Sequence, residues 1–350
     1  MNSFAINGRK IGKGYPAYIV AELSANHGND INIAIESIKV AKEIGADAVK
    51  IQTYTHDTLT IDCDNEYFQI HQNTLWDGES LYSLYKKAYM PWEWQPTLKE
   101  FADSIGITLF STPFDKSAVD FLEDLKMPAY KIASFEIFDL ELIKYTASKQ
   151  KPMIISTGVA TLEDIEDAIN ACKSVGNEQI ALLKCTSSYP AQLEEMNLAT
   201  IKDMGERFNC IAGLSDHSFG VVAPIVATTF GASIIEKHFM IDKSIGGADS
   251  GFSLDKREFE LLVKSVRNAE KSIGKVKYEL NPKAEISREL FGRSLFVVKD
   301  IKAGDIFDSE NIRSIRPGFG IKPKYLNDIL GKQAKIDLKR GTPMKLEYVK

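Results

Sequence analysis

Between residues 18 and about 273 the chain alternates two kinds of hydrophobic pattern. Short β-branched and apolar runs give way to longer stretches with apolar residues three and four positions apart, the succession expected when strands and helices follow one another. Eight strands are predicted, at residues 18–24, 48–54, 108–114, 129–134, 152–157, 180–186, 211–217 and 233–239. Intervening segments such as INIAIESIKVAKEIG (31–45) and TLEDIEDAINACKSVG (161–176) carry helical periodicity and end at Gly, a common helix stop. Eight strands with helices between them imply an α/β fold, a closed parallel (β/α)8 or TIM barrel, over residues 1–273. The long interruption at 55–91 is rich in aromatic and polar residues and exceeds ordinary βα loop lengths, so it is expected to lie over the barrel mouth.

Many of the predicted strands finish in polar residues: Glu22 and Ser24, Lys50 and Gln52, Thr112, Lys131 and Ser134, Ser156, Ser187, His217, Glu236 and His238. In a barrel of this type the active site lies at the C-terminal strand ends, so these side chains are expected to converge. After Gly274 the pattern changes. Residues 274–289 are polar, without a clear period, and read as a linker. Residues 290–350 hold short β-like runs, SLFVVKD, IRSIRPG and AKIDLKRGTPM, and read as a small β-rich domain.

Composition narrows the partners. Among 350 residues, 43 Lys and Arg against 48 Asp and Glu leave a formal charge of -5, which offers no general affinity for nucleic acid or an anionic membrane. An anionic ligand must therefore be held by local cations. Cys63, Cys172, Cys185 and Cys210 are far apart without CxxC spacing, as in a reduced, cytoplasmic protein. The opening MNSFAINGRKIGKGYP lacks an apolar signal core, and no run of eighteen apolar residues occurs, so neither export by that route nor a membrane span is expected.

His217 and His238 are predicted to end adjacent strands, and neighbouring strands lie about 4.8 Å apart. Two imidazoles could there share one divalent ion that keeps open positions for substrate oxygens; structural or general-base histidines are the alternative. Lys50 and Lys131, with the hydroxyls of Thr112, Ser134, Ser156 and Ser215, suit a ligand carrying both phosphate and carboxylate, as phosphoenolpyruvate does. The competing readings are salt bridges to Glu22, Glu136 or Glu236, or a lysine acting as a Schiff-base nucleophile in an aldolase. A sugar- or ice-binding tail is the non-enzymatic alternative.

The motifs AELSANHG (21–28), KIQTY (50–54), STPFD (111–115), YKIASFE (130–136), STG (156–158), CTSSYP (185–190), GLSDHSFG (213–220) and EKHF (236–239) together resemble the sialic acid synthase family. RSLFVVKDIKAGD (293–305) and IRPGFG (315–320) resemble that family's C-terminal antifreeze-like (SAF) domain. Within the family, ANHG, the TYT after the second strand, LWDGESLYSLY (75–85), PWEW (91–94) and ASFE are most similar to the branch whose acceptor is a 2,4-diacetamido-2,4,6-trideoxy hexose. The branches that make N-acetylneuraminate or legionaminate are the alternatives.

The resemblance implies a condensation of phosphoenolpyruvate with an N-acetylated sugar, assisted by a divalent metal (Mn2+, Mg2+ or Co2+) on His217 and His238, without an organic cofactor. It places Lys50, Thr112, Lys131, Ser134, Ser156, Ser187 and Ser215 at phosphoenolpyruvate; Ser187 stands where the family often has Asn. Gln52, Tyr189, Glu236 and Asp249 would face the sugar, with Glu22 as acid or base and Glu136 as activator of water. Arg316 would reach the sugar from the partner subunit of a domain-swapped homodimer. Aromatic residues of the 67–94 segment, including Tyr67, Phe68 and Trp76, are expected to supply apolar surface for the acceptor's methyl group.

Overall fold

The computed structural model describes residues 3–71 and 76–350. Residues 3–12 form a hairpin outside the predicted strands: β1 (Ser3–Ile6) pairs antiparallel with β2 (Arg9–Gly12). Asn7 and Gly8 make its turn at φ of 49° and 79°, the positive values that a two-residue hairpin loop demands.

Next come β3 (Tyr18–Glu22), β4 (Ala48–Thr53), β5 (Thr108–Pro113) and β6 (Tyr130–Ile132). They are followed by β7 (Met153–Ser156), β8 (Ile180–Cys185), β9 (Ile211–Asp216) and β10 (Ile234–His238). Each pairs in parallel with its neighbours, and β10 closes onto β3, giving the TIM barrel. All eight strands stand where the hydrophobic pattern puts them. β6 is shorter than predicted because Ser134–Phe138 turns into a 3-10 helix.

Helices begin where side chains can satisfy their first N–H groups. Asp30 caps Ile31–Glu43, Asp115 caps Lys116–Asp124, and the Thr161/Asp164 and Asp255/Glu258 pairs form capping boxes on Leu162–Ser174 and Lys256–Ile273. Their apolar faces meet the outward strand residues, including Leu23, Ile51, Leu109, Leu214 and Ile235, in one continuous layer.

The opposite strand face makes a second core inside the barrel. Tyr18, Val20, Ala48, Phe110, Ile154, Leu183 and Ile234 fill its N-terminal half, and Phe4, Ile6 and Ile11 of the hairpin pack against them. Further along the same inward rows, two residues at a time, the side chains become polar: Val20 is followed by Glu22, Ala48 by Lys50, Phe110 by Thr112, Ile154 by Ser156, Ile234 by Glu236 and His238. Gly213 sits where the wall is tightest, since a Cβ there would lie 2.4 Å from the Ile234 carbonyl oxygen.

Segment 55–91 contains the short helices His56–Leu59, Glu66–Phe68 and Leu81–Ala88. Leu75 of the LWDGESLYSLY motif lies outside the described residues. Trp76 Nε1 donates to the Ala248 carbonyl at 3.2 Å, joining the segment to the loop after β10. Tyr67 is 81% exposed. Among the described residues no helix is long and apolar enough to cross a membrane.

Residues 275–350 form a second compact unit. Part of the stretch read as a linker is helical, Pro282–Phe291; Asn281 caps it and Pro282 supplies a preset first turn. Its polar residues hide the period. β11 (Ser294–Val297) and β12 (Ile312–Ile315) pair antiparallel over a core of Leu295, Val297, Ile301, Phe307, Ile312, Ile329, Leu338 and Met344. The third β-like run contributes isolated bridges, Ile301 to Leu338 and Phe296 to Pro343, in place of a strand.

The hairpin is a stopper whose apolar contacts the barrel cannot replace. Ile11→Ala, at a fully buried position, is expected to destabilise the protein by about 2–5 kcal/mol while leaving turnover per folded molecule intact. Urea unfolding and activity on the same samples check this, and a loss below about 0.5 kcal/mol contradicts the role.

Candidate active site

The polar ends of the inward rows do converge. Lys50 forms a close ion pair with Glu22 and lies 3.7 Å from Glu236 Oε1. Lys131 approaches the same Glu236 oxygen at 3.5 Å, and Ser215 Oγ donates to it at 3.3 Å. These four charged residues are 5% exposed or less. Lys50 Nζ also donates to Thr112 Oγ1 at 3.2 Å, and Gln52 Nε2 bridges Glu22 Oε1 at 3.0 Å and Ser24 Oγ at 2.8 Å. The salt-bridge reading of the lysines therefore holds in this structure, with Glu22 and Glu236 as the partners.

The two carboxyls differ. Burial pushes Glu22 up, the negative Glu236 adds to this, and Lys50 only partly offsets them. Burial also acts on Glu236, but Lys131 and Lys50 outweigh it and hold that carboxyl below its usual range. One environment thus keeps Glu236 ionised and makes Glu22 the group that more readily carries a proton, the separation of roles that acid and base chemistry requires. Burial draws the Lys131 ammonium below its ordinary value, whereas Glu22 and Glu236 outweigh the same burial at Lys50 and raise it.

Beside the lysines is a cradle of hydroxyls. Ser134 Oγ accepts from the Gly158 N–H at 3.2 Å. A Cβ on Gly158 would lie 2.1 Å from Ser187 Oγ, 2.8 Å from Ser134 Oγ and 3.1 Å from Cys185 Sγ, so three side chains close on one bare backbone position. Ser156 Oγ is buried and has no hydrogen-bond partner among the described residues, an unsatisfied donor in a place where a ligand oxygen would satisfy it.

The His217 and His238 rings stand 5.3 Å apart. His217 Nδ1 lies 3.1 Å from the Thr186 carbonyl, which leaves Nε2 for a ligand. His238 Nδ1 is buried and has no hydrogen bond among the described residues, with Asp249 Oδ2 at 3.6 Å. Two imidazoles with spare nitrogens fit a divalent cation. Among the described residues no group of three or more His, Cys, Asp or Glu is arranged to hold one, so substrate and water oxygens would complete the coordination. Tyr189 packs on His217 at 4.4 Å and Trp76 on Tyr189 at 5.8 Å. Asp249 is buried, pushed up by burial, and its Oδ2 accepts from the Ala25 N–H at 3.5 Å.

Two neighbours carry no signal in the sequence analysis. Phe252, just after the glycine-containing stretch 246–251, packs 4.8 Å from His238 and 5.0 Å from Tyr189. Cys185 Sγ lies 3.7 Å from His217 Nδ1; burial pushes the thiol up, but His217, Ser134 and Lys131 prevail and bring it down to about 7. Glu136, in the 3-10 helix after β6, is pushed up to about 7, chiefly by burial, and its Oε2 has no hydrogen-bond partner among the described residues. Arg316 belongs to the second unit, exposed just past β12 and before Pro317.

Residues 37–278, most of the TIM barrel, match the NeuB family and residues 292–347 match the SAF domain, and the chain belongs to the NeuB family. Its relatives include the pseudaminic acid synthases of Campylobacter jejuni serotype O:23/36 and Helicobacter pylori. They are 48% and 46% identical, over 94% and 95% of this chain and 95% and 98% of theirs. The crystal structure of an N-acetylneuraminic acid synthetase from Leptospira borgpetersenii, in complex with citrate, matches with a TM-score of 0.71 at 31% identity, covering 81% of this chain and 94% of that one.

The raised carboxyl at Glu136 has a sign that can be measured. The folded protein holds a proton there that the unfolded chain releases near 4.5, so this residue costs stability as pH rises from about 4.5 to 7. Glu136→Gln is expected to be more stable than wild type at pH 8 by on the order of 1–3 kcal/mol, the lower end allowing for partial hydration, and equal to it at pH 4. Denaturation at the two pH values checks it; a difference independent of pH contradicts the shift.

Proposed function

We propose that this chain is a pseudaminic acid synthase, a transferase that joins phosphoenolpyruvate to 2,4-diacetamido-2,4,6-trideoxy-L-altrose, with water, to give pseudaminic acid and phosphate. The observation that carries the reading is the pair of buried lysines, Lys50 and Lys131, sharing Glu236 beside a hydroxyl cradle and in the same mouth as two imidazoles. Two cations suit a ligand with both a phosphate and a carboxylate. The choice of acceptor follows the 46–48% identity to pseudaminic acid synthases, against 31% to the N-acetylneuraminic acid synthetase.

In this reading Lys50 and Lys131 neutralise phosphoenolpyruvate, and Thr112, Ser134, Ser156, Ser187 and Ser215 donate hydrogen bonds to its oxygens. A divalent ion held by His217 and His238, of the Mn2+, Mg2+ or Co2+ kind, supplies Lewis acidity toward the sugar carbonyl. C3 of phosphoenolpyruvate attacks C1 of the open-chain sugar, and Glu22 passes a proton to the developing alkoxide. Water adds to the cationic C2 as Glu136, poised near neutrality, takes its proton. The tetrahedral intermediate then expels phosphate and leaves the keto acid.

Gln52, Tyr189, Glu236 and Asp249 face the sugar, with Trp76 and Phe252 adding apolar surface. Arg316 acts in a domain-swapped homodimer, reaching the sugar bound to the partner. Support for a partner surface comes from the second unit itself, where Val276, Tyr278, Ile286, Leu290 and Phe291 are all exposed, an apolar set of the kind that marks interaction sites. The cysteines are free, in keeping with a cytoplasmic setting.

Two outcomes test the reading. In a phosphate-release assay the trideoxy sugar should outperform N-acetylmannosamine by roughly tenfold or more, since a hydroxyl forced into a site shaped for a methyl group costs about 1–3 kcal/mol. Preference for N-acetylmannosamine, or for the legionaminic acid precursor, reassigns the acceptor. Gly158→Ala should leave the barrel folded and raise the KM for phosphoenolpyruvate roughly 10-fold or more, as expected when charge-assisted bonds are displaced. If only the KM for the sugar moves, the cradle belongs to the other substrate.

A further inference from the structure

His217 and His238 turn their rings into the barrel, while the residue before each, Asp216 and Lys237, stands on the opposite face of the sheet. Two positions earlier on the same face, Leu214 and Ile235 belong to the apolar layer beneath the helices. Asp216 and Lys237 therefore put a buried charge pair on a face that is apolar at the preceding positions of the same two strands. Their Cα atoms are register partners on β9 and β10, and the side chains are 0% and 1% exposed, with Nζ 2.6 Å from Oδ2.

Ser218 completes the arrangement. Asp216 Oδ1 accepts from its N–H at 2.9 Å and from its hydroxyl at 2.7 Å, and Lys237 Nζ also donates to its carbonyl oxygen. The three residues form a closed ring that grips the chain on both sides of His217 and ties it to the residue preceding His238.

Stability does not account for such a pair. Removing two charges from water costs about as much as their attraction returns, and an apolar pair of similar volume often serves as well or better. What the ring supplies, and hydrocarbon does not, is direction. We infer that Asp216, Ser218 and Lys237 are positioning residues that set the spacing and orientation of His217 and His238, and thereby the affinity of that pair for a divalent cation. The inference rests on the two-histidine reading given above.

The test is metal titration without substrates. In Asp216→Asn combined with Lys237→Met, Asn keeps an acceptor for Ser218 and no charge is left unpaired, so the cross-strand tether is lost while the local turn remains. Expected results are a melting temperature without metal near that of wild type and a Kd for Mn2+, by calorimetry, about 10- to 100-fold weaker. The melting shift on adding Mn2+ should shrink in parallel.

An unaltered Kd overturns the inference, whatever happens to the melting temperature. If the double variant does not fold, Ser218→Ala decides: it retains the ion pair, loses the hydroxyl bond to Asp216, and should weaken Mn2+ binding roughly 2- to 10-fold, an unchanged Kd again overturning the role. His238→Ala separates the two ideas. If wild type binds Mn2+ no better than His238→Ala, the two-histidine site fails and the ring's role with it. If His238→Ala loses the metal while the ring variants keep it, only the ring's role fails.

Discussion

Two lysines and two glutamates lie out of water in one barrel mouth, and the surrounding structure makes that burial tolerable. A lone buried charge would neutralise itself by releasing or taking a proton. Here Lys50 is held by Glu22 and Glu236, Lys131 by Glu236, and Glu236 further by Ser215. The charges balance one another, yet among the described residues Ser156 Oγ and Glu236 Oε2 have no hydrogen-bond partner. It is therefore charged for an anion without being committed to one geometry.

The fold around that cluster was legible because a barrel strand repeats every two residues, and the repeat survives even where its chemistry changes from apolar to polar. The eight strands and the convergence of Glu22, Lys50, Lys131, Ser215, Glu236 and His238 follow from that repeat alone. Other features escaped for physical reasons. The hairpin carries an Asn-Gly turn signal, but its strands have four residues each, too short to stand out before a barrel. The helix at Pro282–Phe291 buries no side chain, and its ten residues hold only Ile286, Leu290 and Phe291 as large apolar positions, too few to stand out from the polar stretch around them.

Within the site, residues whose type announces chemistry were found and residues that act by shape or proximity were not. Phe252 and Gly158 carry no titratable group, and their importance lies in what surrounds them. Cys185 looks like one more buried thiol until His217 is placed 3.7 Å away. That contact depends on the residue-by-residue register of β8 against β9 and on side-chain direction beyond the strand ends, which a linear pattern does not record.

The hairpin stopper has a consequence for traffic. With Phe4, Ile6 and Ile11 filling one end of the barrel among side chains that are almost wholly buried, the interior is a blind alley. Among the described residues the buried charges face the other end, at the strand termini, where Trp76 fastens its segment to Ala248. A molecule entering and a molecule leaving would then share that end of the barrel.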